Sequence, residues 1–424
     1  MTRPLVVQKF GGSSVADADR IRRVARRIAR ERAAGHDLVI VVSAMGDATD
    51  ELLSLAAAIT DEPDPRELDM LLATGEHQAA TLLSMALHAL GVPAISLTGA
   101  QAGITTDGRY GRARIANIEP VRIRDEIEKG NVVIVAGFQG QSAVAAGQAE
   151  VTTLGRGGSD TTAVALAAAL RADRCQIFSD VRGIFTADPR VVASARQLPV
   201  IGYEEMLELA HQGAQVMQVR AVELGWVNDV VIEVLSSFED APGTVIREDP
   251  LVEQRNKVRG LAHDRNVAKV TLVAVPDRPG VARALFDPLA EAGINVDMIV
   301  QNVGHGGATD LSFTVPRVEL ARAKKVLEPI VRDLGARELT TDASVAKVSI
   351  VGAGLHNAPG YAARMFGTLA DAGVNIEMIS TSEVRITCMI AEAELTTALD
   401  ALHGAFELAK PDPVDVAASG RAAG

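Results

Sequence analysis

Over the first 235 residues, short runs of valine, isoleucine and leucine alternate with long stretches whose apolar positions recur at helical spacing. The runs 5–8, 38–42, 94–97, 132–136, 176–179 and 230–234 read as strands, and 19–34, 50–59, 67–90, 118–129, 160–170 and 203–209 as helices. Strands apolar on both faces and separated by helices imply a mainly parallel sheet covered on both sides. Such an α/β layer binds its ligands at the carboxyl ends of the strands. In the first helix Ile21, Val24 and Ile28 recur on one side, so its seven arginines are expected on the solvated face.

The pattern changes after residue 236. Residues 269–299 and 347–379 match as strand, Pro-Gly loop, helix, Ala-Gly turn and Asn-led strand, about 80 residues apart. That period is too long for a solenoid and describes two copies of one small α+β unit. The expected bounds are 1–245 for the large domain, a linker at 246–264 within the stretch 236–266, and units at 265–342 and 343–424.

Composition narrows the partners. A chain of 424 residues with 48% hydrophobic and 3% aromatic content has ample aliphatic material for roughly two to three domains. Its net charge of -12 would repel nucleic acid and anionic membranes, so neither is an expected partner. Cys175 and Cys388 lie far apart in apolar runs, giving neither a disulfide framework nor a metal-ligand spacing. With no apolar run near the ~20 residues of a membrane span, a cytoplasmic protein is expected.

Candidate chemistry gathers at two glycine-rich turns. Residues 6–14 read VVQKFGGSS and residues 153–162 read TLGRGGSDTT, each a glycine pair beside a cation and ahead of a helix, where backbone N–H groups can face an anion. Lys9 could reach phosphates cradled by Gly11 and Gly12. Arg156 offers a bidentate grip on a carboxylate. Asp160 either caps the helix or orients Lys9 and the transferred group. The stretch 179–190, SDVRGIFTADPR, could hold a nucleotide or be an ordinary Asp-Pro turn. Ser43, Asp47, Thr49 and Asp50 in SAMGDATD, and Glu76 after Gly75, sit at strand-to-helix junctions, where helix capping is the alternative to binding an ammonium. Residues 351–354, VGAG, lack the third glycine of a dinucleotide fingerprint, and no GxxxxGK loop is present.

In order along the chain, KFGGSS at 9–14, SAMGDATD at 43–50, GE at 75–76, GFQG at 137–140, TLGRGGSD at 153–160 and SDVRGIFTADPR at 179–190 resemble the aspartate kinases. The repeated unit resembles their tandem ACT pair, and the type resembled is monofunctional and regulated by lysine and threonine. A fused dehydrogenase is not expected. The resemblance implies an amino-acid kinase, carbamate kinase-like α/β/α sandwich with a mainly parallel sheet, followed by two ferredoxin-like ACT domains. It implies transfer of the ATP γ-phosphoryl group to L-aspartate, giving 4-phospho-L-aspartate, the first step of lysine, threonine and methionine biosynthesis. Lys9, Asp160 and Arg156 would be catalytic. Ser43, Asp47, Thr49, Glu76, Phe138, Arg156 and Ser159 would bind aspartate, with Glu76 on the ammonium. Lys9, Phe10, Gly11, Gly12, Ser179, Asp180, Phe185, Asp188 and Arg190 would bind ATP. Mg²⁺ would bridge the phosphates through nucleotide oxygens and water, with no dedicated protein metal site. The aspartate carboxylate is already ionised at pH 7, so positioning and charge neutralisation suffice without a general base.

Two positions depart from the pattern. Gln215 stands where some members carry a second lysine, a charge Arg220 would have to replace, and Ala79 stands where relatives often have serine. By the same resemblance, the effector positions are Asp277, Pro279, Gly280, Asn295, Val296, Asp297 and Gln301 in the first repeat and Asn375, Ile376, Ser382 and Glu383 in the second. The loop 304–309 is short against some relatives. Lysine and threonine are the expected effectors, and a homodimer or larger oligomer the expected assembly, with an internally initiated short subunit as a variant of it. Kinases of glutamate or acetylglutamate are the nearest alternative, and a non-catalytic amino-acid sensor the alternative of another class.

Overall fold

The computed structural model describes residues 3–142, 149–214, 216–248, 256–302, 307–355 and 359–412. The chain opens with β1 (Leu5–Phe10), α1 (Ala18–Ala33), β2 (Asp37–Val42), α2 (Ala48–Ile59), α3 (Pro65–Ala89) and β3 (Ala94–Leu97). There follow β4 (Ile104–Thr106), β5 (Ile115–Ile118), α4 (Val121–Glu128), β6 (Val132–Ala136), β7 (Gln139–Ser142), β8 (Val151–Thr153) and α5 (Gly158–Leu170). Then come β9 (Arg174–Ser179), β10 (Val200–Ile201), α6 (Tyr203–His211), α7 (Val219–Val227), β11 (Ile232–Ser236) and β12 (Thr244–Ile246).

Among the described residues the main sheet has the order β10-β12-β11-β9-β1-β2-β6-β3, parallel except where β11 meets β12. One face packs on α1 and α3 through Ile28, Leu83 and Leu87, the other on α4, α5, α6 and α7 through Ile123, Leu166, Met206 and Val222. This is the expected three-layer sandwich. A second sheet, β5-β4-β7-β8, was not foreseen. Its strands are short and rich in threonine, glutamine and glycine, so no apolar run marks them.

The arginines of α1 are not all on a solvated face. Arg22, Arg23, Arg26 and Arg30 are exposed. Arg27, however, lies 4.8 Å over the Phe178 ring and pairs with Asp240 at 2.5 Å. Arg20 donates to the Ser13 carbonyl and Arg32 to that of Gly130.

The second half contains β13 (Gly260–Asp264), β14 (Ala268–Pro276), α8 (Val281–Glu291), β15 (Asp297–Gln301), β16 (Ala308–Val315), α9 (Leu320–Leu334) and β17 (Glu338–Asp342). It closes with β18 (Val345–Val351), α10 (Tyr361–Asp371), β19 (Met378–Thr381), β20 (Arg385–Ala391) and α11 (Leu395–Ala405). The first repeat forms the sheet β15-β16-β14-β17 and the second β19-β20-β18-β13. The stretch read as linker therefore supplies β13, which pairs antiparallel with β18 from Gly260↔Val351 to Asp264↔Lys347. The first repeat is inserted between the two strands of that pair. Burial along 291–300 repeats residue for residue along 371–380. Ion pairs cross between the repeats reciprocally, Lys269 to Glu377 and Lys347 to Asp297, each at 3.0 Å.

Candidate active site

Lys9 is near the end of β1, where strand alternation sends its side chain to the α5 face and that of Phe10 to the other. Its Nζ lies 2.6 Å from Asp160 Oδ1, with both side chains about nine-tenths buried. The N-cap of α5 is Gly157, so Asp160, in the first turn, does not cap. It holds the lysine, and its charge is favoured at a helix N-terminus. Phe10, expected at the nucleotide, is fully buried and stacked 4.7 Å from Phe178. Its side chain is core, and only its main chain reaches the loop, where the Ser43 N–H donates to the Phe10 carbonyl. Gly11 and Gly12 lead into a short 3₁₀ turn. A Cβ on Gly12 would stand 2.8 Å from the Ala44 carbonyl oxygen, so only glycine lets this turn lie against the SAMGD loop.

Glu76 lies on the buried face of α3. A Cβ on the preceding Gly75 would come within 2.8 Å of Ala44 Cβ, so the glycine allows α3 to close on the end of β2. There the Ala44 N–H donates to Glu76 Oε1 at 3.0 Å, while Oε2 is buried and has no partner among the described residues. Burial pushes the Glu76 carboxyl up to about 7, only partly offset by that N–H. A buried carboxylate with a free oxygen suits an incoming ammonium. Ser43, next to Ala44 in the chain, and Thr49 are half-buried, whereas Asp47 is exposed and makes no cap bond. Ala79 is fully buried in the α1/α3 core, so the missing hydroxyl belongs to the core.

Phe138 is held at φ 68°, with its N–H donating to Thr162 Oγ1 at 3.2 Å and its carbonyl accepting from Leu154. A non-glycine residue there signals strain that its surroundings impose. Ser159 is buried at the start of α5. The sequence reading missed Asp69, which accepts from the Thr153 N–H at 2.8 Å, the Thr153 hydroxyl at 2.6 Å and the Gly111 N–H at 3.0 Å. It fixes β8 directly before the second glycine turn. The available signal was an acid seven residues before Glu76, on the same face of α3. Arg220 donates to the carbonyls of Leu154 at 2.8 Å and Ala113 at 2.9 Å. It anchors the same turn and is not a replacement for the charge missing at Gln215, which itself lies outside the described residues. Arg156 is 90% exposed and 3.4 Å from Asp50, outside the buried Lys9–Asp160 ion pair.

The stretch 179–190 follows β9 and walls a cavity of about 630 Å³ that Ser179, Asp180, Phe185, Asp188 and Arg190 all line. Its far side comes from Gly213 after α6 and from Leu261 and His263 of β13. The Ser179 hydroxyl donates to Asp180 at 3.1 Å. Arg190 grips Asp188 at 3.0 and 2.9 Å and holds that carboxyl below its usual range. Burial pushes the His263 imidazole down. Among the described residues no three His, Cys, Asp or Glu side chains stand together as a metal site.

The amino acid kinase family model matches residues 4–230, and ACT domain models match 269–334 and 348–406. The aspartokinase of Mycolicibacterium smegmatis is 50% identical over 98% of this chain and 100% of its own length. The aspartate kinase of Pseudomonas putida is 50% identical over 96% of this chain and 98% of its own. The chain belongs to the aspartate kinases. E. coli aspartokinase III in complex with aspartate and ADP superposes with a TM-score of 0.79 at 26% identity, over 95% of this chain and 99% of that one. The aspartate kinase structure from Synechocystis gives 0.52 at 45% identity, over 95% of this chain and 69% of that one. As an aspartate kinase the chain is an ATP-dependent enzyme that phosphorylates a carboxyl group of aspartate, and its second half is a pair of ACT domains.

In this kinase the expected effector positions separate into two groups. Asn295, Val296 and Asp297 line a cavity of about 520 Å³ with Lys347, Arg385 and Glu208 of α6. Asp297 is driven up by burial, but the charge and hydrogen bond of Lys347 hold it below its usual range. Asp277, Pro279, Gly280 and Gln301 are exposed, as are Asn375 and Glu383, with Ile376 and Ser382 half-buried. None of these lines that cavity. Part of the loop 304–309 lies outside the described residues. Among the described residues no helix is long and apolar enough to cross a membrane.

Proposed function

We propose that phosphoryl transfer takes place between the two glycine turns, with the aspartate ammonium on Glu76, its side-chain carboxylate aimed at the γ-phosphate, and Lys9 neutralising the charge that moves between them. The observation that carries this is the contrast between two buried acids: Asp160 is paired with Lys9 at 2.6 Å, while Glu76 keeps one buried oxygen free. Asp160 fixes the ammonium of Lys9, and the main chain at Gly11 and Gly12 lies beside the transferred group. Ser43, Asp47, Thr49, Phe138 and Ser159 bound the aspartate pocket. Arg156 swings from Asp50 to the substrate carboxylate when aspartate enters. The nucleotide occupies the cavity walled by Ser179, Asp180, Phe185, Asp188 and Arg190, and Mg²⁺, brought by the nucleotide rather than by a protein site, would supply charge shielding for the phosphates. The product is 4-phospho-L-aspartate, the entry to lysine, threonine and methionine biosynthesis.

Control is assigned to the ACT pair, with lysine and threonine as inhibitors. A solved relative, E. coli aspartokinase III, is described in complex with lysine and aspartate as its T-state, and superposes with a TM-score of 0.74 at 26% identity over 94% of this chain and 99% of that one. A dimer or larger oligomer in the cytoplasm completes the proposal. ADP release is measured with Mg·ATP and aspartate, glutamate or acetylglutamate, then with lysine and threonine singly and together. Turnover with aspartate alone, suppressed by the effectors, is expected; turnover indifferent to both would remove the assigned control.

A further inference from the structure

The wall of the nucleotide cavity is not held by the kinase domain alone. Residues 184–198 fold back on themselves: the Leu198 N–H donates to the Ile184 carbonyl at 2.8 Å, Phe185 bridges Gln197, and the Thr186 N–H donates to the Arg196 carbonyl at 2.8 Å. The apolar side chains of this loop, Ala187 and Val192, are buried in the core of the second repeat, among Leu261, Leu399 and Leu402. At the same place α11 contributes His403, 1% exposed. Its Nε2 lies 3.0 Å from Thr186 Oγ1 and its Nδ1 3.1 Å from Ser194 Oγ, so one ring reaches both limbs of the loop. Thr186 has its remaining polar atoms engaged as well, its hydroxyl accepting from the Arg196 N–H at 2.9 Å and its carbonyl from the Leu261 N–H at 2.7 Å.

We propose that His403 is a positioning residue for the nucleotide, fixing from the second ACT domain the loop that carries Phe185, Asp188 and Arg190. The inference rests on the assignment of the 630 Å³ cavity to the nucleotide. Thr186 lies between Phe185 and Ala187, both of which face that cavity, so a shift of the ring at its back moves the wall at its front. Burial pushes the imidazole below its usual range, Asp400 opposing and Arg196 adding to the effect. The ring is therefore neutral near pH 7, with one nitrogen donating and the other accepting. Two hydroxyls, each able to give or take a hydrogen, are the partners such a ring needs. A leucine of similar size would fill the space but lose the hydrogen bond to each limb of the loop, which is the sense in which the histidine does more than pack.

The test uses the full-length protein and steady-state kinetics in both substrates. For His403→Ala the KM for ATP rises about tenfold, as expected for two lost hydrogen bonds in a binding wall, with the KM for aspartate and kcat within about twofold of wild type. His403→Gln, which keeps an amide near the Nε2 position, recovers to within about threefold, and Ser194→Ala adds little to His403→Ala because the two share one interaction. Should His403→Ala fail to fold, Ser194→Ala removes one partner from the loop side and raises the KM for ATP by about threefold. An unchanged KM for ATP in a folded His403→Ala, or in Ser194→Ala if that is the variant available, overturns the proposal; so does an equal rise in both KM values. Phe185→Ala separates the two layers: if it weakens ATP while His403→Ala does not, His403 merely packs. If Phe185→Ala also leaves ATP binding unchanged, the nucleotide assignment falls and the inference with it.

Discussion

The two ends of the reaction cleft are built differently. At the acceptor end, Lys9, Glu76 and Asp160 come from β1, α3 and α5 of one domain and are held by that domain's own contacts, with Asp69 and Arg220 bracing the second glycine turn. At the nucleotide end, the loop 184–198 contributes Ala187 and Val192 to the core of the second repeat, and β13 of that repeat lines the same cavity. On the proposed reading, chemistry is set inside the kinase domain, while the nucleotide wall is shared with the regulatory half. A regulator so placed can change ATP affinity without touching the aspartate pocket.

Variants at the acceptor end should lower kcat or aspartate affinity and spare ATP. The largest effect is expected for Lys9→Met, which removes the cation beside the transferring group and lowers kcat by about 10³-fold. A loss below tenfold would remove Lys9 from the chemistry. Next comes a pair that sharpens the nucleotide end. Lys347 is 7% exposed between Asp297 and Asp264 of β13, whereas Lys269, its counterpart in the first repeat, is 24% exposed beside Glu377. Lys347→Ala takes the buried cation away from two partly exposed acids, Asp264 at 26% and Asp297 at 48%, and is expected to cost about 2 kcal/mol in thermal or denaturant unfolding, between the values for an exposed and a buried pair. Lys269→Ala is expected to cost less than about 1 kcal/mol. Because β13 lines the nucleotide cavity, Lys347→Ala also raises the KM for ATP and leaves that for aspartate; equal behaviour of the two lysines would erase the asymmetry between the repeats.

Glu76→Gln separates binding from stability. Losing the buried carboxylate should raise the KM for aspartate about 100-fold. The wild-type group moves from 4.5 when unfolded to about 7 when folded. The folded state therefore binds the extra proton between those values, and stability falls as pH rises through that window. Above pH 7 the full effect is on the order of 3 kcal/mol, so the glutamine variant is the more stable protein there and equal to wild type below about pH 4.5. The smallest effect is expected for Arg156→Ala, about tenfold in the KM for aspartate with unchanged unfolding, since the side chain is exposed at rest.

What was legible in the chain follows the same division. The glycine turns and Lys9 stand out because their types and spacing have few structural explanations, whereas Glu76 taken alone could as well have been a helix cap, and the internal repeat is visible because its two copies keep the same burial code. The Phe10 ring is core although its neighbours are candidate site residues, since strand alternation puts it on the opposite face from Lys9. The strands β4, β5, β7 and β8 carry no apolar period, and β13 pairs across an inserted repeat, a long-range event that no local pattern records. His403 was invisible for the same reason: its partners lie 217 and 209 residues away.

The most direct test of the acceptor site is the pH dependence of kcat/KM for aspartate in wild type and Glu76→Gln, between about pH 6 and 9. With the free-enzyme carboxyl near 7, the wild-type value should fall as pH drops through about 7, and the variant should be low and flat across that bend. A bend near 7 that persists in Glu76→Gln would show that another group controls aspartate binding and would contradict the assignment of the substrate ammonium to Glu76.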